Sequence, residues 1–232
     1  MKRRNFIRTM AAGVGGLAAC GARGQGAAPA RKPLRVALIG CGGQGVGTLL
    51  PACCGERVVA LADPDPRCIE AARGKIRTVA PSADTAAIKT FGDYRTLFDR
   101  MGKELDAVVI ATPNHQHAPP ALTAIRRGIH VYLEKPLTHT IHEARQLRDE
   151  AKRHGVVTQM GQHGHSSEGC RRLCEYIGAG AIGQVREVHC WAAVCDGLPD
   201  AEHSPALPVP DGLDWDAWIG PAPFREIGRA HV

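Results

Sequence analysis

From residue 34 onward the chain repeats one unit: a short apolar run, a turn rich in glycine or polar residues, then an amphipathic stretch. Apolar runs at 34–39, 57–62, 107–111, 129–133 and 156–160 are short, and each is bounded by turn residues. Such runs suit strands covered on both faces. A weaker strand is expected at 88–91. The intervening stretches carry helix signals. A helix opens at 46–50, and residues 66–80 are helical in composition. Asp93 stands as an N-cap for a helix through Met101. Pro119 and Pro120 open another that Gly128 closes. Thr140 and Glu143 form a capping box for a helix running to Gly155. Strands alternating with helices imply a doubly wound parallel sheet. Ligands bind such sheets beyond the carboxyl ends of the strands. The unusual glycine and polar residues fall at those ends: 40–45, Asp63, 112–117, Glu134–Lys135 and 161–165.

The first of these turns has a readable chemistry. Gly40-Cys-Gly42-Gly-Gln-Gly45 follows a strand, precedes a helix, and has an acid 23 residues beyond Gly40 at the end of the next strand. Gly40 permits a tight turn, Gly42 lets backbone approach a pyrophosphate, and Gly45 lets helix and strand pack closely. The helix start offers unpaired N–H groups and positive potential to phosphates. Asp63 would accept from ribose hydroxyls and repel a 2′-phosphate, so the expected cofactor is NAD rather than NADP. Arg67 nearby softens that preference.

Lys135 ends a buried strand between Glu134 and Pro136. A lysine so placed can pass protons where cationic or apolar surroundings favour its neutral form; taken alone, it reads more readily as a surface residue of a strand-to-helix turn. Residues 36–45, 111–117 (Ala-Thr-Pro-Asn-His-Gln-His) and 131–136 (Val-Tyr-Leu-Glu-Lys-Pro), in this order, resemble the Gfo/Idh/MocA oxidoreductases over roughly residues 34–223. The resemblance implies a Rossmann domain followed by an α/β domain with an open, mainly antiparallel sheet. It implies that Gly40, Gly42, Gly45 and Asp63 hold the dinucleotide and that Thr112, Asn114 and His117 line its nicotinamide side. It sets Glu134 and Lys135 at the reaction centre, with Lys135 passing the proton of a sugar, cyclitol or glycoside hydroxyl. His163 and His165 are candidates for facing the substrate. His115 and His117 lack a third ligand at convincing spacing, so no metal is expected.

Composition bounds the rest. Charged residues make up 22% and hydrophobic ones 44%, so the chain is neither disordered in type nor membrane-like. Aromatics are 4%, so the core must be aliphatic. The formal charge is +6, but Lys2, Arg3, Arg4 and Arg8 fall in the first 20 residues, and the other 25 bases nearly balance 23 acids. Nucleic-acid binding, which needs a basic stripe on the folded domain, is therefore not expected.

Residues 1–32 read as an export signal and tether. Arg3-Arg4-x-Phe6-Ile7 resembles a twin-arginine signal. Leu17-Ala-Ala-Cys20 resembles a lipobox, with Cys20 the lipid acceptor and the lipid the one expected contact with a membrane. This predicts a periplasmic or lipid-anchored protein that folds before export through the twin-arginine machinery. The other eight cysteines do not demand a disulfide framework in a chain of this size.

The expected division is residues 33–160 as the NAD-binding domain and 161–225 as the start of the substrate and oligomerisation domain. Within the latter, 166–179 should be helical, 184–191 alternates like a strand, and 198–210 is a proline-rich loop. Residues 226–232 look foreign, and one reverse translation of them resembles a sequencing adapter; the expectation is a C-terminally truncated reading of a larger protein that self-associates when whole, the alternative being a genuinely short protein. Three activities remain open: an NAD-dependent oxidoreductase, a glycosidase that oxidises its sugar transiently and recovers its NAD, and a non-catalytic dinucleotide- or sugar-binding lipoprotein.

Overall fold

The computed structural model describes residues 31–53, 55–191 and 205–227. The signal and lipobox expectations, Cys20 included, lie outside the described residues, as do 192–204 and 228–232. The chain forms two compact units: residues up to Met160 together with Val209–Phe224, and Gly161–Pro208 with the residues from Arg225.

The first unit carries six strands: β1 (Arg35–Ile39), β2 (Arg57–Ala62), β3 (Lys89–Phe91), β4 (Ala107–Ile110), β5 (His130–Leu133) and β6 (Thr158–Met160). All neighbours are parallel, in the order β3-β2-β1-β4-β5-β6. This is the doubly wound order, and the chain reverses direction across the sheet between β1 and β4. A π-helical turn (Gly45–Leu49) runs into α1 (Leu50–Cys53), and α2 (Pro66–Val79) follows β2. The other helices of the sheet are α3 (Tyr94–Met101), α4 (Ala118–Arg126) and α5 (Ile141–His154).

Side chains on the central strands alternate between two cores, as the pleat requires. Val36, Leu38, Leu61 and Val109 pack with Leu50, Ile69 and Ile76 of α1 and α2. Ala37, Ile39, Val108 and Ile110 pack with Phe98, Ile125 and Leu147 of α3, α4 and α5. Phe98 is 1% exposed; burying a side chain of this kind contributes about 1.5–3 kcal/mol. The helix ends obey their local signals. Asp65 and Asp93 cap α2 and α3 by accepting from the N–H groups of Arg67 and Arg95. The Thr140–Glu143 capping box is complete, and Gly155 ends α5 at φ +64°.

In the second unit α6 (Glu168–Gly178) begins at Ser167, as the sequence leads one to expect. The strand expected at 184–191 is not formed. Val188 is 73% and Trp191 84% exposed, and among the described residues no neighbouring strand pairs with this segment. An alternating pattern makes a strand only where another backbone accepts its hydrogen bonds. Residues 209–224, expected with 161–208, pack on the first unit instead. They carry α7 (Trp215–Ile219), whose Ile219 is buried at 5% exposure.

Candidate functional site

The glycine turn is held by close backbone packing. Gly40 adopts φ +87°, and a Cβ there would lie 2.4 Å from the Ala111 carbonyl oxygen at the end of β4. A Cβ on Gly45 would lie 2.0 Å from the Gly40 oxygen. Both positions exclude any larger residue. A Cβ on Gly42 would meet only the Cys68 sulfur, at 3.5 Å, which leaves that part of the turn open to an approaching ligand.

Asp63, 9% exposed, grips this turn. Its Oδ2 accepts from the Cys41 N–H at 2.7 Å and its Oδ1 from the Asp65 N–H at 2.8 Å. Burial pushes its carboxyl above the usual range and the charge of Asp65 adds to this, while hydrogen bonds from Asp65, Cys41 and Gly42 pull the other way. Two oxygens offer about four acceptor positions, so lone pairs remain for a ribose. Asp63 is thus the fastening of β2 to the glycine turn, with acceptor capacity left over; the motif's spacing does not disclose this role. Arg67 is engaged by Asp65 at 2.7 Å, and that pairing holds the Asp65 carboxyl below its ordinary value. Burial, followed by the charge of Asp63, pushes the Cys41 thiol well up and that of Cys68 to about 11. Both are therefore thiols rather than thiolates at neutral pH.

Beyond β4, Asn114–Gln116 forms a 3-10 turn, with Asn114 exposed. The Thr112 hydroxyl donates to the Gln116 carbonyl at 3.1 Å. His117 is 1% exposed, with Nε2 2.9 Å from the Thr112 carbonyl and Nδ1 on the Pro136 carbonyl. Carbonyls only accept and a neutral imidazole carries one N–H, so the ring donates to one of the two while both its nitrogens face backbone between the ends of β4 and β5. His117 is a clasp inside the site wall rather than a ring offered to a ligand.

Glu134, 3% exposed, follows β5. Its Oε2 accepts from the Lys135 N–H at 3.1 Å. Its Oε1 is buried with no hydrogen-bond partner among the described residues. Burying a carboxylate oxygen unpaired is costly, so a donor from a bound molecule fits there. Lys135 beside it is exposed, and its bond to Pro136 is cis. His163 and His165 are exposed in a 3-10 turn of the second unit (His163–Ser166).

Two further groups escape the motif reading. Gln116, 5% exposed, and His115 anchor the segment Val209–Phe224 through the Ala217, Trp218 and Ile219 carbonyls. In the sequence that segment, with Trp215, Trp218, Pro221 and Pro223, lies within the 34–223 stretch that resembles the family, but nothing in it names its partners.

These residues fit a dinucleotide: two glycines that admit no Cβ, an open Gly42, an acid at the end of β2 with spare acceptor capacity, and an orphaned carboxylate oxygen at the end of β5. The profile of an oxidoreductase family with an NAD-binding Rossmann fold matches residues 34–162. The 2,7-anhydro-N-acetylneuraminate hydratase of Mediterraneibacter gnavus is 29% identical over 160 residues, covering 68% of this chain and 39% of that protein. The inositol 2-dehydrogenase of Burkholderia multivorans is 31% identical over 161 residues, covering 68% of this chain and 45% of that protein. The myo-inositol 2-dehydrogenase structure from Lactobacillus plantarum superposes with a TM-score of 0.53 at 24% identity, over 66% of this chain and 43% of that one. The chain therefore spans less than half the length of these relatives. Over its matched region it belongs to the Gfo/Idh/MocA family of oxidoreductases with an NAD-binding Rossmann fold.

Proposed function

We propose that the whole protein is an exported NAD-dependent oxidoreductase acting on a hydroxyl-bearing carbon of a sugar, cyclitol or glycoside. The observation that carries this is the pairing of a buried, half-satisfied Glu134 with an exposed Lys135 on the same sheet edge as the Gly40–Gly45 turn. Gly40, Gly42, Gly45 and Asp63 would hold the dinucleotide, and NAD when bound supplies the hydride acceptor. Lys135 Nζ, held in its neutral form by the positive charge that an oxidised nicotinamide would bring beside it, would take the proton of the reacting hydroxyl and, being exposed, pass it on to solvent. Glu134 Oε2 fixes the turn from which Lys135 emerges. Its Oε1 stands ready for a donor on the bound molecules.

The test is Lys135→Ala and Lys135→Arg in the full-length protein. Turnover should fall at least about 100-fold in the alanine variant, the scale of general acid–base catalysis, with NAD affinity within about twofold of wild type. Equal loss of turnover and affinity would reduce Lys135 to a structural role. A second reading, glycosidic cleavage with transient oxidation and recovery of NAD, draws support from a hydratase among the relatives, a name that implies no net redox change. Product formation without any change in nicotinamide absorbance would favour it. We also propose export by the twin-arginine route with lipid on Cys20; replacing Arg3 and Arg4 by lysine should trap the protein in the cytoplasm.

A further inference from the structure

The segment Val209–Phe224 returns to the first unit far from it in sequence, and it does so at the carboxyl edge of the sheet. At one end it rests on the turn after β2. The Asp214 N–H donates to the Pro64 carbonyl at 3.1 Å, and a Cβ on Gly212 would lie 3.4 Å from Pro66 Cγ. Asp211 and Asp214 act electrostatically on Arg67 and on Arg95, at the starts of α2 and α3. At the other end it rests on the turn after β4. His115 Nε2 donates to the Ile219 carbonyl at 2.9 Å, and the Gln116 amide donates to those of Ala217 and Trp218. A Cβ on Gly220, which has φ +57°, would fall within 2.9 Å of three atoms of the Gln116 carboxamide; the strap lies flat on that side chain.

The anchors flank the site. Pro64 directly follows Asp63, and His115 directly follows Asn114. Between the two turns the strap holds Trp215 and Trp218 stacked, with ring centroids 4.6 Å apart and planes 16° apart. The His115 ring stands 5.9 Å from Trp218. If the strap served only to cover core, its large side chains would be buried. Ile219 is, at 5% exposure, whereas both indoles stay partly exposed. In a doubly wound sheet the β1–β3 half takes the adenosine end of a dinucleotide, and purines pack on aromatic surfaces. From these contacts we infer that the strap Val209–Phe224 is the outer wall of the adenosine end of the site, with the Trp215–Trp218 pair as its aromatic surface. This rests on the dinucleotide reading above and adds the recognition of an adenine nucleotide by a segment outside the glycine motif.

The experiment uses the 232-residue chain carrying Trp191→Phe, in which Trp215 and Trp218 are then the only tryptophans. AMP, ADP-ribose, NAD and nicotinamide mononucleotide are titrated while tryptophan emission is followed, with calorimetry alongside. The first three should quench the emission, and nicotinamide mononucleotide should not. Releasing the strap with His115→Ala and Gln116→Ala together should weaken ADP-ribose at least fivefold. If calorimetry shows ADP-ribose bound while emission and the anchor variant's affinity are unchanged, the strap inference fails and the dinucleotide site stands. Quenching by nicotinamide mononucleotide alone would set the strap at the wrong end of the site and also overturn it. If no adenine nucleotide binds at all, both readings fall. Should the anchor variant not fold, the titration of the intact strap decides alone.

Discussion

Asp63 shows how much one side chain can be asked to do. Its carboxylate ties the glycine turn to β2 and, in the function proposed, would accept from a ribose as well. Asp63→Ala should weaken NAD binding at least tenfold, about 1.4 kcal/mol; unchanged affinity in a calorimetric titration would remove Asp63 from the site. Its raised carboxyl pKa has a signed consequence for stability. A folded state that holds a proton more tightly than the unfolded chain gains stability below the ordinary value of 3.8 and loses it as pH rises through the raised folded value. The stability difference between wild type and Asp63→Asn should therefore shift against the wild type as pH climbs through that window. Urea midpoints taken along a pH series give the slope, and the opposite sign would refute the assignment. The glycines divide just as clearly. Gly45→Ala must displace the Gly40 carbonyl and should cost on the order of 1–3 kcal/mol. At the exposed Gly47, a Cβ would meet nothing within 4 Å, and Gly47→Ala should stabilise by about 0.5–1 kcal/mol.

Among the elements, α5 is specified at every level. Its capping box, its buried Leu147 and its left-handed Gly155 agree with one another. Thr140→Ala removes the side-chain acceptor for the Glu143 N–H and should cost about 1 kcal/mol. Leu147→Ala leaves a cavity among β5, α4 and α5 and should cost about 2–5 kcal/mol. Denaturant titrations should rank the two in that order. The 184–191 segment is the counterexample. Its alternation reads as a strand, yet it forms none, because a strand is made by its neighbours. The helices and central strands of the sheet were legible from periodicity and caps, since those signals act within one or two turns of chain.

At the scale of the whole molecule, ligand and fold are coupled by mass action. If the Gly40–Gly45 turn and Asp63 bind NAD in the native state alone, NAD at 100 times its dissociation constant should stabilise the first unit by about 2.7 kcal/mol. A thermal melt that NAD leaves unmoved would argue against the site.

The sequence by itself determined the alternation of strands and helices, the glycine turn with its acid, and the concentration of polar residues at the strand ends. Each of these is written in residues close together along the chain, where steric limits, caps and side-chain period act directly. Only the tertiary structure decided that Asp63 fastens the turn it serves, that His117 is sealed between two carbonyls, and that Val209–Phe224 crosses back over the carboxyl edge. The bonds from His115 to Ile219 and from Gln116 to Ala217 join residues 104 and 101 positions apart. Contacts at that separation depend on how the completed sheet presents its loops, and no local pattern in the chain encodes them.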